Sequence, residues 1–363
     1  MKCNYVARLL IVIGLVLGAG CGNSDLDSGE DSPNSSLEEK VIVYSPHGRE
    51  ILQEFKDLFE SAHPETTVEF LYISSQQCLE RIRNEKANPL ADVWWGAGHT
   101  SFMIAAREGI LESYTPSWAS PVPEGYHDPE HRWYACFLSP EIIFYNREMV
   151  DSAEAPTDWA DLAHPRWKDR ILMRFPLPSD TMRAIFFGII DRSIKQSGDE
   201  ENAFEWMSGV DAGTKDYLSG GEQVFRKMAQ RVGAVSLWTL SDIMLQKTRY
   251  GYPFEIVYPK SGSPVILDGI AVIKNAAHPK AARAYYEFVT SKESAVKLAN
   301  APYYRIPTRN DLDTSRLPEW MRSPGYTPQE LDWNLYLEKM NGWMARWDKE
   351  IKNQGKYPGG EKQ

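Results

Sequence analysis

The sequence predicts an α/β fold of two lobes, each a mostly parallel sheet flanked by helices, joined by a hinge. From Val41 onward, apolar runs of strand length alternate with amphipathic stretches of helix length, the signature of βαβ units. Three of the strand-like runs end in small or polar turns, at Ser45-Pro46-His47-Gly48, Ser74-Ser75 and Gly96-Ala97-Gly98. A long apolar segment, Trp133 to Asn146, can pass from one lobe to a second, and Leu267 to Ile273 can return. A chain that crosses and comes back makes a hinge of at least two strands.

Element by element, Val41 to Tyr44 reads as a buried strand, and Arg49 to Ser61 as a helix with Ile51, Phe55, Leu58 and Phe59 on one face. Val68 to Ile73 is the second strand. Ser74-Ser75 gives an N-cap signal for a helix carrying Cys78, Leu79 and Ile82, and Ala91 to Trp95 is the third strand. In the second lobe Arg170 to Phe175 is a strand ending in Pro176-Leu177-Pro178-Ser179-Asp180-Thr181, with a helix beyond. Gly233 to Trp238 is another, ending in Thr239-Leu240-Ser241-Asp242, and Phe254 to Tyr258 is a short one. A helix with Ala281, Ala282, Tyr285, Tyr286 and Phe288 follows the returning strand. Near the C-terminus Leu331, Trp333, Leu335, Leu337, Met340, Trp343, Met344 and Trp347 recur at roughly helical spacing, which reads as a helix packing against the first lobe.

Composition narrows the function. With 42% hydrophobic residues the chain can build more than one core, and a single apolar run, Leu9 to Ala19, excludes a polytopic membrane protein. A net charge of −10 argues against nucleic acid as a partner. The N-terminus has two bases, the apolar run and then Gly18-Ala19-Gly20-Cys21, which reads as a secretory signal (1–20); its end resembles the bacterial lipobox, which implies lipidation of Cys21, with ordinary cleavage to a free secreted protein as the alternative. Residues 21–40 are polar and acidic and read as a disordered tether. Cys78 and Cys136 then remain, either bridged or as two buried thiols.

Several stretches together resemble the extracellular solute-binding proteins of ABC importers, in the branch of ferric-iron-binding, thiamine-binding and phosphonate-binding proteins. They are Val41 to His47, Asn88-Pro89-Leu90-Ala91-Asp92-Val93-Trp94-Trp95-Gly96, Pro156 to Leu162 with Pro165-Arg166-Trp167-Lys168, and Pro259-Lys260-Ser261-Gly262 leading to Asp268-Gly269-Ile270-Ala271-Val272. The resemblance implies the type II binding-protein architecture, with lobe 1 at 41–140 and 265–307, lobe 2 at 141–264 and a helical extension at 308–363. It also implies a ligand in the cleft between lobes, delivery to a permease and an ATPase, no catalysis and no cofactor. The expected location is the periplasm or cell surface, as a monomer anchored through Cys21. The adjacent tyrosines that hold ferric iron in the iron-binding members are absent: that place reads Ser236-Leu237-Trp238-Thr239.

Ligands in open α/β sheets sit beyond the carboxyl ends of strands, which points to Ser45, His47, Gly48, Ser74, Ser75, Trp95, Gly96, Ser179, Thr181, Trp238, Thr239 and Tyr258. Serine and threonine at helix N-termini suit a small oxyanion such as a phosphonate, sugar phosphate or organic acid, although each is also an ordinary N-cap. Trp95 and Trp238 serve as aromatic walls or as core. Arg174 and Arg183 are read as ion-pairing residues, with a phosphate clamp as the other option for each. Ferric iron is the alternative cargo. His127-Asp128-Pro129-Glu130-His131 has the letters of a zinc-protease motif, but Pro129 makes it a loop. A secreted carbohydrate hydrolase with an acid pair is the reading from a different class.

Overall fold

The computed structural model of the chain describes residues 36–352; the leader and Cys21 lie outside the described residues, as does the C-terminal end from 353. The first strands and helices follow the expected order: β1 (Lys40–Ser45), α1 (Arg49–Ala62), β2 (Thr67–Tyr72), α2 (Ser75–Asn84), β3 (Val93–Gly98) and α3 (His99–Arg107). The long strand β4 (Tyr134–Asn146) leads to β5 (Ile171–Arg174), α4 (Asp180–Ser197), α5 (Glu201–Gly213), β6 (Thr214–Leu218), α6 (Gly221–Ala229), β7 (Val235–Thr239), α7 (Leu240–Tyr250) and β8 (Phe254–Val257). The chain returns through β9 (Val265–Val272), α8 (Pro279–Val289), α9 (Lys292–Ala299) and β10 (Ile306–Pro307), and ends in α10 (Trp333–Glu350).

Among the described residues ten strands form one sheet: eight lie along the path β2-β1-β3-β9-β4-β7-β5-β6, and β8 and β10 pair with β4 beside it. The pairs β1–β2, β1–β3, β5–β6 and β5–β7 are parallel, as βαβ units require. The central pairs, β3–β9, β4–β9 and β4–β7, are antiparallel, because β4 and β9 carry the chain across in opposite directions. Strand β4 is shared: Tyr134 to Pro140 pair with β9, whereas Glu141 to Tyr145 pair with β7. Its apolar character over thirteen residues reflects burial on both faces.

Helices cover both faces of each half. In β3, Trp94 and Trp95 point to opposite sides by the two-residue period, Trp94 against Phe102 of α3 and Trp95 against Phe55 of α1. In the second half α4 is buried almost all round, with Met182, Ile185, Phe186, Phe187 and Ile190 in one cluster with Trp206 and Met207 of α5. The C-terminal helix packs there too, and not mainly on the first lobe as its sequence suggested. Tyr336, Met340, Trp343, Met344 and Trp347 join the α4–α5 cluster, because that is where large apolar side chains still need cover. Only its start reaches the first half, where Trp333 meets His99 with ring centroids 4.5 Å apart.

One further expectation is corrected. The end of the tether belongs to the fold: the Glu38 carboxylate accepts from Lys280 N–H and Ala281 N–H at the start of α8, and Lys40 opens β1. Capping an exposed helix start satisfies donors that the helix cannot. Of the two readings the sequence left open for Cys78 and Cys136, the structure shows separate buried thiols.

Candidate functional site

The carboxyl ends of β1, β3, β5 and β7 face one cleft between the halves, and β4 and β9 form its floor. Alternation along the floor strands sorts their side chains. Ser139 and Glu141 of β4, with Ile266 and Asp268 of β9, point into the cleft, while the neighbouring Leu138 of β4 and Leu267 of β9 point away to a separate apolar cavity. Pro46, His47 and Gly48 follow β1, Ala97 and Gly98 end β3, and Ser75 starts α2. Across the cleft stand Arg174 at the end of β5, Asp180 and Thr181 at the start of α4, Trp238 and Thr239 at the end of β7, and Asp242 of α7. Arg305, just before β10, completes the lining.

Of the residues expected from sequence, His47, Gly48, Ser75, Thr181, Trp238 and Thr239 are brought together here. The others have different positions. Ser45 is fully buried, with Oγ accepting from His47 N–H at 3.1 Å. Ser74 donates to Gln77 Oε1 at the start of α2 and lines another cavity. Ser179 is the N-cap of α4, accepting from Met182 N–H at 3.3 Å. Trp95 lies beneath the cleft as core, edge-on to His47. Tyr258 packs against Gly325 of the C-terminal segment. Arg183 is held by Tyr336 Oη, Asn341 Oδ1 and Leu177 O, so it fastens α10.

Gly96 has a reason to be glycine. It sits at φ +91°, and a Cβ there would come within 2.6 Å of His47 Nε2, so the imidazole packs directly on its backbone. Ala97 follows at φ +89°, and the β3–β9 ladder shifts register between Trp95 and Gly98. This kink delivers the Gly98 N–H to Asp180 Oδ2 at 2.9 Å.

Sequence reasoning missed the acids and Arg305. Each carboxylate in the cleft has protein partners. Asp180 accepts from Gln76 Nε2 (2.6 Å), Gly98 N–H and Ser101 Oγ (both 2.9 Å). Asp242 accepts from Trp238 Nε1 at 2.8 Å and pairs with Arg305 at 2.6 Å. Asp268 accepts from Ser139 Oγ, and Glu141 from Thr239 Oγ1 at 3.2 Å. Glu141 and Asp268 had left a sign in the sequence, as lone acids inside otherwise apolar strands. Arg305 had left none.

Burial shapes the electrostatics. It pushes Glu141 well above the usual carboxylate range, reinforced by Asp268, and raises Asp268 to about 6 against the pull of Arg305 and Ser139. Burial, with Arg305 nearby, holds His47 well below its ordinary value, so the imidazole is neutral. Arg174 differs from the carboxylates. Its guanidinium lies over the Trp238 ring, 5.4 Å from the centroid, its Nε is buried with no hydrogen-bond partner, and burial lowers its pKa.

Two sheet halves joined by crossing strands around a polar cleft define a two-lobed binding protein. The model for the bacterial extracellular solute-binding protein family matches residues 88–332, and the chain belongs to that family. A relative, the probable ABC transporter periplasmic-binding protein y4fP of Sinorhizobium fredii, is 22% identical over 321 residues, spanning 87% of this chain and 88% of that one. The periplasmic binding protein AfuA from Actinobacillus pleuropneumoniae, solved with fructose-6-phosphate bound, superposes with a TM-score of 0.75 at 22% identity, covering 86% of this chain and 98% of that one. The ferric binding protein from Campylobacter jejuni superposes at 0.70 with 20% identity, over 85% and 98% of the two chains. This chain is therefore a periplasmic solute-binding protein of an ABC importer, capturing a small solute and working with permease and ATPase subunits.

Proposed function

We propose that the solute is a small anion bearing hydroxyl groups, with sugar phosphates as the class that suits the cleft best. The observation that carries this reading is the asymmetry of charge pairing. All four cleft carboxylates have hydrogen-bond donors within the protein, but Arg174 makes no ion pair with any described residue and has an unpartnered Nε. A cation whose buried Nε lacks a partner is costly unless an anion completes it. Arginine also offers a planar fork that matches phosphate or carboxylate oxygens. Glu141 and Asp268 on the floor, with Thr181 and Thr239 beside them, suit the hydroxyls of the same solute.

The helix-terminus idea takes a different form in this reading. Asp180 already places a carboxylate at the starts of α3 and α4, so the solute's anionic group goes to Arg174. His47, Gly48, Ser75, Thr181, Trp238 and Thr239 then complete the contacts. Simple phosphonates and organic acids share the anion but leave much of the polar floor unmatched. Ferric iron is the second reading, favoured by the resemblance to the Campylobacter protein. Against it, the described residues contain no group of three or more His, Cys, Asp or Glu placed to hold a metal. Tyr285 and Tyr286 are core of the first half, and Tyr303 donates to Glu54.

We further propose anchoring through a lipid on Cys21, a monomeric state, and hinge closure between a first lobe of about 41–140 with 265–307 and a second of 141–264. Capture without turnover is the expected chemistry. Calorimetry of the purified domain with fructose 6-phosphate, methylphosphonate and ferric citrate tests the assignment. Binding of the sugar phosphate, recovered unchanged, supports it. Binding of ferric citrate alone overturns it in favour of iron, and cleavage of the sugar phosphate overturns the binding-protein mode altogether.

A further inference from the structure

Asp180 stands in the cleft yet spends its oxygens on the protein. It is the first residue of α4, in the half built on β5, β6 and β7, and it is 4% exposed. All three of its donors belong to the other half. Gln76 Nε2 of α2 reaches Oδ1 at 2.6 Å, and Gly98 N–H and Ser101 Oγ, at the start of α3, reach Oδ2 at 2.9 Å each. Gln76 N–H also donates to Pro178 O at 3.4 Å, two residues before Asp180.

The placement suits a charge. A carboxylate at the N-terminus of α4 and against the N-terminus of α3 faces the positive ends of both helix dipoles. Hydrogen bonds to an ionised acceptor are stronger than neutral ones, and burial keeps water from competing. The local backbone is bent to reach it, since Gly98 follows two consecutive residues with positive φ, Gly96 and Ala97. Another bond between the halves, Tyr250 Oη to Glu50 Oε1 at 2.6 Å, involves exposed side chains and is open to water.

We propose that Asp180 is a positioning residue, an internal anion that clasps the second half onto the first and sets how far the cleft stands open. It acts through protein groups alone, so the clasp works whether or not a solute is present. Opening the hinge breaks all three bonds together and leaves the Gly98 N–H without its acceptor, which makes closure a two-state event rather than a gradual one. The clasp also occupies the helix-terminal place where an anionic solute would otherwise compete.

The test uses the solute-free protein, so its failure and failure of the solute assignment are separable. Asp180→Asn keeps the shape and removes the charge, and Ser101→Ala removes one donor. Small-angle scattering should show a larger radius of gyration for Asp180→Asn and an intermediate one for Ser101→Ala. Hydrogen exchange at the Gly98 amide should be roughly tenfold or more faster in Asp180→Asn, the factor expected for losing a charge-assisted bond. Melting temperatures should change little, because each half keeps its own core. A double variant, Asp180→Cys with Ser101→Cys, should return to the wild-type radius when oxidised and expand when reduced. Unchanged radius and exchange in both single variants would overturn the proposal. So would an expansion that the oxidised crosslink fails to reverse. If Asp180→Asn does not fold, Ser101→Ala and Gln76→Ala carry the same comparison.

Discussion

The Arg174 guanidinium rests on the face of Trp238, 5.4 Å from the ring centroid, and Trp238 in turn donates its indole N–H to Asp242 at 2.8 Å. The ring fixes a cation in the cleft while the nearby carboxylate is engaged by the indole and by Arg305. Such an arrangement holds a charge ready rather than neutralising it.

Arg174→Met should therefore separate binding from stability. Loss of hydrogen bonds to a charged group should weaken fructose 6-phosphate binding roughly 10- to 100-fold. Removing a half-buried cation that has no ion-pair partner should at the same time leave the melting temperature unchanged or raise it. Calorimetry and thermal unfolding on one preparation check both signs. Unaltered affinity would place the anion elsewhere, and a large drop in melting temperature would mean that Arg174 is structural.

The contact between Gly96 and His47 makes a coupled prediction. Gly96→Ala puts a methyl 2.6 Å from His47 Nε2 at a backbone φ of +91°, so it carries both a steric and a conformational cost. A loss of about 1–3 kcal/mol is expected. His47→Ala should relieve the steric part, so the double variant should lose less than the sum of the singles. Urea unfolding of the four proteins in a mutant cycle measures this, and strict additivity would deny the contact.

How much of this was legible in the sequence depends on the range of the interactions. Periodicity revealed β1 to β5 and their small-residue ends, because a buried strand and a glycine turn are written in adjacent residues. His47, Thr181, Trp238 and Thr239 were found by that local rule. The same rule also selected Ser45, Ser179 and Trp95, whose side chains turn toward their own backbone or core. Direction was the missing information. Glu141 and Asp268 become neighbours only when β4 and β9 pair, with Leu138 against Leu267 and Ser139 against Ile266, and Arg305 arrives from a loop far along the chain. The partner of α10 was undetermined for the same reason: an aromatic stripe states that a helix must be covered, not by which half.

That stripe predicts how the C-terminal helix contributes. Trp347 is 1% exposed and meets Phe175, Phe186 and Tyr217, with ring centroids 6.1, 5.7 and 5.6 Å away. Trp347→Ala should cost about 3–5 kcal/mol. Solute affinity, measured well below the lowered melting temperature, should stay within about threefold, because the residue lies in the α4–α5 core and outside the cleft lining. Thermal unfolding with calorimetry checks it, and a cost under 1 kcal/mol would mean that α10 is peripheral.

Asp268 gives stability a defined pH dependence. Burial raises its carboxyl to about 6, against roughly 4 in an unfolded chain. The folded state then holds the proton more tightly than the unfolded state does. The contribution of this group is fully favourable below about pH 4, declines as pH rises, and is lost above about 6. A shift of about two units corresponds to about 3 kcal/mol at most. Asp268→Asn removes the ionisation and keeps an acceptor for the Ser139 hydroxyl. The variant should match wild type near pH 4, gain on it through pH 4–6, and keep a constant advantage above that window. Chemical denaturation at pH 4, 5, 6 and 7.5 resolves the curve. An advantage that is flat across all four would show that Asp268 titrates normally, and one that shrinks with rising pH would show that pairing with Arg305 outweighs burial.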